Sequence, residues 1–170
     1  MLLASVAGAY GVAVSSGDLE LIDRFYAAFA RRDGAAMAAC YAPDATFSDP
    51  VFTDLSGREP GAMWQMLTER SDDLSVEVVE RAAAGGSGSA TWVARYTFGQ
   101  TGRPVVNRVR STFRFAGGLI ADQRDEFDLY RWSRQALGPV GVLLGWTPAV
   151  QGRVRRTARR SLDRHLAANG

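Results

Sequence analysis

Two aspartates stand at positions where a carboxylate could act as an acid/base catalyst. The first, Asp49, follows the alternating residues 45–48 and precedes Pro50, which keeps Asp49 in extended backbone. Asp49 lies two positions after Phe47, so both side chains are predicted to point towards the interior. A carboxylate directed into an apolar cavity is a candidate general base. The alternative is that Asp49 caps the turn before Pro50, as in many Asp-Pro sequences.

The second aspartate lies on a predicted strand. Residues 105–115 and 119–129 each alternate mostly apolar with charged side chains, the pattern of strands with one concave, interior face. That face also carries four polar residues, namely Asn107, Ser111, Gln123 and Asp125. Burying an unpaired amide or hydroxyl costs about 1–3 kcal/mol, and a carboxylate costs more. The four polar groups therefore predict either a mutual hydrogen-bond network or a bound ligand.

The opposite face of the same two strands is charged. Its arginines are Arg108, Arg110 and Arg114, and its acids are Asp122, Glu126 and Asp128. Cross-strand pairs of opposite charge contribute about 0.2–1 kcal/mol each, which indicates a structural role. We expect this face to be convex, and either solvated or the contact surface of a homodimer.

The composition removes several kinds of chemistry. Cys40 is the single cysteine and His165 the single histidine, and all twenty basic residues are arginine. A single cysteine cannot form an internal disulfide or a cysteine metal site, and a single histidine leaves little basis for a Ser-His-Asp mechanism. Any reaction must use carboxylates, tyrosines, arginines and amides, and we expect no metal and no cofactor. A length of 170 residues suits one domain with a real core.

The order of the elements resembles a known superfamily. A helix with Phe25 and Tyr26 precedes YAPDATFSDP at 41–50, a second helix begins at GREPGAMWQML, and strands follow at 89–100, 104–116 and 119–132. Over residues 17–132 this order is similar to the nuclear transport factor 2-like superfamily, and within it to SnoaL-like and ketosteroid-isomerase-like proteins. The resemblance implies an α+β cone, a strongly bent antiparallel sheet that three N-terminal helices close around a pocket. That fold hosts isomerases, epoxide hydrolases, cyclases, dehydratases and binding modules, so it does not determine function.

The resemblance to ketosteroid isomerases is partial at the level of single residues. Asp49 resembles their proton-shuttling aspartate. Their oxyanion-hole tyrosine would fall near Phe25, one residue before Tyr26, and their neutral aspartic acid near Ser111. Phenylalanine donates no hydrogen bond, and an oxyanion donor is worth about 2.7–4 kcal/mol. The resemblance therefore predicts against rapid steroid isomerisation.

Two other enzyme classes share part of the pattern. Asp125 resembles the catalytic acid of limonene epoxide hydrolases, and Arg95 is a candidate match for their arginine and a candidate partner for Asp125. Thr97 stands where their second aspartate would be, which predicts against that route. Aldol-type polyketide cyclases remain as an interpretation, because they need little beyond one acid/base aspartate and a shaped pocket.

These observations lead to a prediction of function. The chain should bind a small, largely apolar or carbonyl-bearing molecule and, as an enzyme, should move protons without a cofactor through Asp49 or Asp125. The alternatives are a non-catalytic ligand-binding or dimerisation module and a membrane-associated adaptor. The residues expected to line the pocket are Tyr26, Phe47, Trp64, Arg95, Asn107, Ser111, Phe113, Gln123 and Phe127.

The chain divides into three segments: an N-terminal arm at 1–16, the SnoaL-like domain at 17–132 and a C-terminal extension at 133–170. The arm is apolar but lacks the basic start of a signal peptide, so we expect a cytoplasmic protein. Residues 1–130 hold 12 arginines and 17 acids, whereas residues 131–170 hold 8 arginines and one acid. The extension is therefore basic and the body acidic.

The extension is expected to end in a helix that begins near Pro148. Its apolar stripe is Val150, Val154, Ala158, Leu162 and Leu166, and its arginines are Arg153, Arg155, Arg156, Arg159, Arg160 and Arg164. The stripe predicts docking on the acidic body, and the alternative partner for the arginines is an anionic membrane surface. Nucleic acid is not expected, because no binding motif is present. Residues 138–148 are expected to form an apolar bridge that covers the end of the cone.

Overall fold

The computed structural model describes residues 16–169, so the predicted N-terminal arm lies almost wholly outside the described residues. The six helices are α1 (Ser16–Ala30), α2 (Gly34–Ala38), α3 (Glu59–Glu69), α4 (Leu129–Ala136), α5 (Pro139–Leu144) and α6 (Pro148–Ala168). The six strands are β1 (Tyr41–Ser48), β2 (Leu55–Ser56), β3 (Ser75–Ala84), β4 (Ser87–Phe98), β5 (Arg103–Ala116) and β6 (Leu119–Glu126).

The strands form one curved, unclosed sheet in the order β2-β1-β6-β5-β4-β3. Neighbouring strands are antiparallel except for β1 and β6, which run parallel. Helix α1 packs against β3 and β4, and helix α3 packs against α2, β1 and β2. The predicted α+β cone with three N-terminal helices is confirmed.

Two glycine pairs set the length of the long hairpins. Gly85-Gly86 joins β3 to β4 and Gly117-Gly118 joins β5 to β6, each as a two-residue loop. All four glycines have positive φ, from 58° to 76°, as a type I′ turn requires at both central positions. Strand β3 was absent from the sequence prediction, because most of its side chains are exposed and it lacks a clear apolar alternation.

The last strand is shorter than the sequence predicted. We expected it to run to residue 132, but β6 ends at Glu126 and helix α4 begins at Leu129. Asp128 caps this helix, and its side chain accepts a hydrogen bond of 2.9 Å from the backbone N–H of Arg131. Asp128 therefore does not belong to the charged face of the sheet, and that part of the prediction is wrong.

A β-bulge also changes which residues of β6 face inwards. Arg114 pairs with Asp122 and Phe115 pairs with Ile120, so Ala121 is the extra residue. Ile120 is completely buried, although the simple alternation placed it on the charged face. Beyond the bulge the predicted alternation holds, with Gln123 and Asp125 buried and Arg124 and Glu126 exposed.

The interior of the cone is filled with aromatic side chains. Phe25 lies at its centre and makes edge-to-face contacts with the rings of Tyr26, Tyr41, Trp64 and Phe113, at centroid distances from 5.2 to 6.4 Å. Such contacts stabilise a core beyond the area they bury. Cys40 is buried as a free thiol, where it packs as a small apolar residue.

Helix α6 docks on the body of the domain, as its apolar stripe predicted. Leu162 is completely buried, and Ala158 and Leu166 pack beside it against the core. Arg159 forms a 2.6 Å ion pair with Glu59 at the start of α3, and Arg155 donates a 2.9 Å hydrogen bond to the carbonyl oxygen of Pro50.

The segment before α6 does not behave as predicted. Residues 138–148 were expected to cover the end of the cone, but the large apolar side chains of this segment are exposed. The segment packs on α4 instead. Among residues 16–169, none of the helices has a stretch long and apolar enough to cross a bilayer.

Candidate acid/base site

Asp125 lies at the centre of a buried hydrogen-bond network. It is directly opposite Ser111 in the register of β5 and β6. The Ser111 hydroxyl donates to Oδ1 of Asp125 at 2.6 Å, and the side-chain amide of Gln123 donates to the same oxygen at 2.9 Å. Burial raises the pKa of the Asp125 carboxyl to about 7; the two hydrogen bonds oppose this rise, and the charge of Asp49 adds to it.

Ser111 is held by two further donors. The Tyr26 hydroxyl donates to Ser111 Oγ at 3.0 Å, and the Trp92 indole N–H donates to it at 2.9 Å. A serine hydroxyl has one proton to donate and two lone pairs, so all three are in use. The Ser111 hydroxyl therefore donates its single hydrogen bond to the carboxylate of Asp125.

Gln123 is oriented by a second branch of the network. The Tyr41 hydroxyl donates to Oε1 of Gln123 at 2.5 Å, and the Trp64 indole N–H donates to the Tyr41 oxygen at 2.7 Å. Because the amide oxygen is engaged, the amide nitrogen must face Asp125. Burial raises the pKa of Tyr41 well above its usual value, so this hydroxyl stays protonated.

Asp49 plays the turn-capping role that was one of its two predicted roles. Its Oδ1 accepts hydrogen bonds from the backbone N–H groups of Val51, at 2.6 Å, and of Phe52. The side chain is nevertheless partly buried, and burial raises its pKa to about 6, against the lowering effects of the two amides and of Arg155. Asp49 is thus a capping residue with a raised pKa.

The two carboxylates share one further property. Each accepts both of its hydrogen bonds on Oδ1, and within residues 16–169 neither Oδ2 has a hydrogen-bond donor. A carboxylate with one oxygen fixed by donors keeps a defined orientation. Its second oxygen is the one that can meet a substrate proton.

Two predicted pocket residues do not join this network. Arg95 is exposed and forms a 3.2 Å ion pair with Glu77 on β3, so the prediction that it pairs with Asp125 is wrong. Asn107 is half-buried opposite Ala94 and makes no side-chain hydrogen bond within the described part of the chain. Phe47, Phe113 and Phe127 belong to the apolar packing of the interior.

Sequence analysis missed two members of the network, Tyr41 and Trp92. Tyr41 begins the YAPDATFSDP segment, in which Asp49 was the predicted acid/base residue. Trp92 lies on a strand whose inward face was ambiguous, and five consecutive residues around it, from Ala90 to Ala94, are buried. Such a run gives no period from which to choose a face.

The end of the cone near Asp49 is closed by an apolar cluster. Its buried members are Val105, Leu129, Trp132 and Ala136, and Val51, Tyr96, Phe98, Phe127, Leu137 and Val154 pack against them. The Trp132 indole donates a 2.8 Å hydrogen bond to the Tyr96 hydroxyl. Val51, two residues after Asp49, packs against this cluster, and burial raises the pKa of Tyr96, with a further contribution from the charge of Asp49.

Two surface cavities of the described residues lie away from both aspartates, so neither of them is the pocket predicted around Asp49 and Asp125. One, of about 410 Å³, lies between α3, the start of β1 and the end of α6. The other, of about 660 Å³, lies beside α4 and is lined by residues that include Arg103, Arg131 and Arg134. Within residues 16–169, no group of three or more His, Cys, Asp or Glu side chains is placed to hold a metal ion.

Comparison with protein families gives one clear result. Residues 22–123, more than half of the chain, match the family model of the SnoaL-like domain. This range includes Tyr26, Ser111 and Gln123 and ends just before Asp125. No curated protein matches the chain at a significant level.

Solved structures share the fold at low sequence identity. An NTF2-like protein of unknown function from Burkholderia pseudomallei is 20% identical (TM-score 0.62, 72% of this chain and 98% of that chain). A hypothetical protein with a ketosteroid isomerase-like fold from Catenulispora acidiphila, in complex with trimethylamine, is 21% identical (TM-score 0.62, 76% and 98%). An LEH-like epoxide hydrolase from M. tuberculosis is 19% identical (TM-score 0.62, 76% and 96%).

Proposed function

The chain belongs to the SnoaL-like family, and from this premise we propose that it binds a small, largely apolar carbonyl compound in the cone and transfers a proton with Asp125. One observation carries the proposal. Asp125 is a buried carboxyl whose pKa is raised to about 7, with one oxygen fixed by two donors. A group with a pKa near the working pH is the most effective general acid/base.

The proposed step is proton abstraction next to a carbonyl group. The free Oδ2 of Asp125 removes a proton from the carbon beside the carbonyl, and the electron pair of that C–H bond moves to form an enolate. The protonated Asp125 then returns the proton to the same or to another carbon. This cycle consumes no co-reactant, which suits isomerase, cyclase and dehydratase chemistry alike.

Asp125 is favoured over Asp49 as the base because of its surroundings. Both have raised pKa values, but Oδ1 of Asp49 accepts its hydrogen bonds from the backbone of its own turn. Asp125 is instead coupled through Ser111 to Tyr26, a hydroxyl whose pKa is raised well above its usual value by burial and by the charge of Asp125. We assign Asp49 the role of a second carboxyl whose charge adds to the effect of burial in raising the pKa of Asp125.

A substrate must enter past the apolar cluster at the end of the cone. Trp132 and Leu129 are both 7% exposed and Val105 is 1% exposed, so the cluster is closely packed. Phe127 contacts both this cluster and the main core. We propose that displacement of Trp132 on α4 opens a route for the substrate, and its indole is held by one hydrogen bond, to Tyr96.

A non-catalytic binding module is the second candidate function. The observation in its favour is that the polar side chains of the network mostly satisfy one another, since Ser111, Gln123 and Tyr41 each have protein partners. A network whose polar groups all have partners can have a purely structural role, which is to fix the packing of a core. On this hypothesis a ligand binds without reacting, and Asp125 has no role in turnover.

Hydrogen exchange of a carbonyl compound distinguishes the two. Full-length protein is incubated in D2O with 2-tetralone, an apolar ketone, and deuterium uptake next to the carbonyl is followed by NMR. We expect catalysed uptake that Asp125→Asn abolishes and Asp44→Asn, at an exposed position on β1, leaves unchanged. Binding of the ketone with no catalysed uptake would favour the binding module, and uptake that survives Asp125→Asn would remove Asp125 as the base.

A further inference from the structure

Exposed apolar side chains are concentrated in one short segment. Seven large apolar residues are exposed in the described part of the chain. Five of them form what we call the α5 patch, namely Val140, Val142, Leu143, Leu144 and Trp146. Leu143 is 71% exposed and Trp146 is 63% exposed. A contiguous apolar patch of this kind marks a surface that binds something.

Two glycines explain why these side chains point outwards. Gly141 and Gly145 are buried, one helical turn apart, against Ser133 of α4. A Cβ atom added to Gly141 would lie 1.8 Å from the carbonyl oxygen of Ser133, and one added to Gly145 would lie 2.8 Å from its Cβ. Close packing therefore admits only glycine on the inner face of α5, and the large apolar residues occupy the outer one.

The backbone of the segment is already hydrogen-bonded. The Tyr130 hydroxyl donates to the carbonyl oxygen of Val142 at 3.0 Å. The Thr147 hydroxyl donates to the carbonyl oxygen of Leu144 at 2.6 Å, and the Trp146 indole donates to that of Leu143 at 3.2 Å. Carbonyl groups that already have donors can enter an apolar medium at low cost, whereas unpaired ones cannot.

Arginines line a groove beside the α5 patch. Residues 129–162 contain seven arginines and no acidic residue. The groove of about 660 Å³ beside α4 reaches the patch at Val142 and is lined by Arg103, Arg131 and Arg134. Asp128 is the one carboxylate that lines this groove, and its side chain accepts the hydrogen bond from the backbone N–H of Arg131 that caps α4. Guanidinium groups in such a groove suit phosphate oxygens.

We propose that the α5 patch inserts into the surface of an anionic phospholipid membrane while the arginine-lined groove binds lipid phosphate groups. Tryptophan and leucine beside arginine are the residues that place a segment at the boundary between headgroups and acyl chains. A second copy of the chain fits less well, because a two-fold contact through this patch would bring two arginine-lined grooves together. This surface differs from the α6 face expected from sequence, where Arg155 and Arg159 already bind groups of the protein itself.

Vesicle flotation with full-length protein tests the apolar half of the proposal. The lipids are phosphatidylcholine alone and phosphatidylcholine mixed with phosphatidylserine. We expect binding to the mixed vesicles, and the double variant Leu143→Ser, Trp146→Ser should weaken it about tenfold to a hundredfold. The control is Val79→Ser, at an apolar residue of β3 that is 50% exposed, which should bind as wild type does.

A double variant that removes two positive charges tests the other half of the proposal, the binding of lipid phosphate groups in the groove. The double variant Arg131→Gln, Arg134→Gln should weaken binding to the mixed vesicles about thirtyfold, on the scale of 1 kcal/mol per arginine near a charged surface. The control Arg70→Gln removes an exposed arginine at the end of α3 and should have no effect. Binding should also fall as salt is added. Equal binding to phosphatidylcholine alone would overturn the assignment to anionic lipid.

The fluorescence of Trp146 gives a readout that does not depend on flotation. Trp64, Trp92 and Trp132 are all buried, so Trp146 is the exposed tryptophan. Its emission should shift to shorter wavelength with mixed vesicles and not with phosphatidylcholine alone. Absence of the shift, or flotation that survives Leu143→Ser, Trp146→Ser, would overturn the proposal, as would a dimer that this variant dissociates. Thermal unfolding of each variant confirms that the fold is kept, and single Leu143→Ser replaces the double variant if it is not.

Discussion

Tyr26 on α1 donates a hydrogen bond of 3.0 Å to Ser111 on β5, 85 positions further along the chain. The resemblance to ketosteroid isomerases placed their tyrosine near Phe25, which cannot donate. The structure shows that the next residue reaches the site instead, since Phe25 and Tyr26 are both buried inside the cone. A tyrosine hydroxyl is therefore connected to Asp125 through Ser111, and four predictions follow from this and the other contacts.

The raised pKa of Asp125 should make stability fall as pH rises. The folded carboxyl has a pKa of about 7, and the unfolded one about 3.9. Between these values the folded state binds more protons, so the free energy of unfolding decreases with increasing pH. Urea unfolding of wild type and Asp125→Asn at several pH values measures this. The wild type should lose about 2–4 kcal/mol relative to the variant between pH 4 and pH 8, and a difference independent of pH would contradict the raised pKa.

Removal of the Ser111 hydroxyl should destabilise the fold. Ser111→Ala leaves Tyr26 and Trp92 without a buried partner and Asp125 with Gln123 alone, at about 1–3 kcal/mol for each unsatisfied group before relaxation. We expect a loss of about 2–4 kcal/mol in urea unfolding. The control is Thr112→Ala, on the exposed face of the same strand, for which a change under about 0.5 kcal/mol is expected. Equal effects of the two substitutions would show that the network does not stabilise the domain.

The contact of α6 with the body should contribute to stability. Leu162 is completely buried in the main core, so Leu162→Ala should cost about 2–4 kcal/mol. Arg160→Ala, at an exposed position two residues earlier, should cost less than about 0.5 kcal/mol. Thermal and urea unfolding measure both. If Leu162→Ala leaves the midpoint unchanged, α6 is not part of the folding unit.

The charged face of the sheet is predicted to form a homodimer. Arg110 lies opposite Glu126 in the register of β5 and β6, and Nε of Arg114 lies 3.7 Å from Oδ2 of Asp122. A two-fold contact would exchange such neighbours of opposite charge between copies. Sedimentation should show a dimer that weakens with salt, and Arg110→Glu should dissociate it.

Arg160→Glu makes the same charge change on α6 and serves as the control for the dimer experiment. It should sediment as wild type does. A monomer at tens of micromolar wild-type protein, on the concentration scale of a weak complex, would count against a dimer through this face.

Sequence alone determined the features that depend on neighbouring residues. The alternation in β5 and most of β6 follows from the two-residue period of a strand, and the turn-capping by Asp49 follows from the Asp-Pro sequence. The start of α6 at Pro148 and its buried stripe follow from the helical period. The order of these elements was enough to indicate the SnoaL-like family.

The tertiary structure decided what depends on distant residues. The side chains of the Asp125 network come from α1, β1, α3, β4, β5 and β6, and no local pattern records which side chains meet across a bent sheet. The bulge at Ala121, the outward position of Arg95 and the outward face of α5 have the same origin. In each case the packing of one element against another, such as Gly141 against Ser133, selected the side chain that is buried and left its neighbours in solvent.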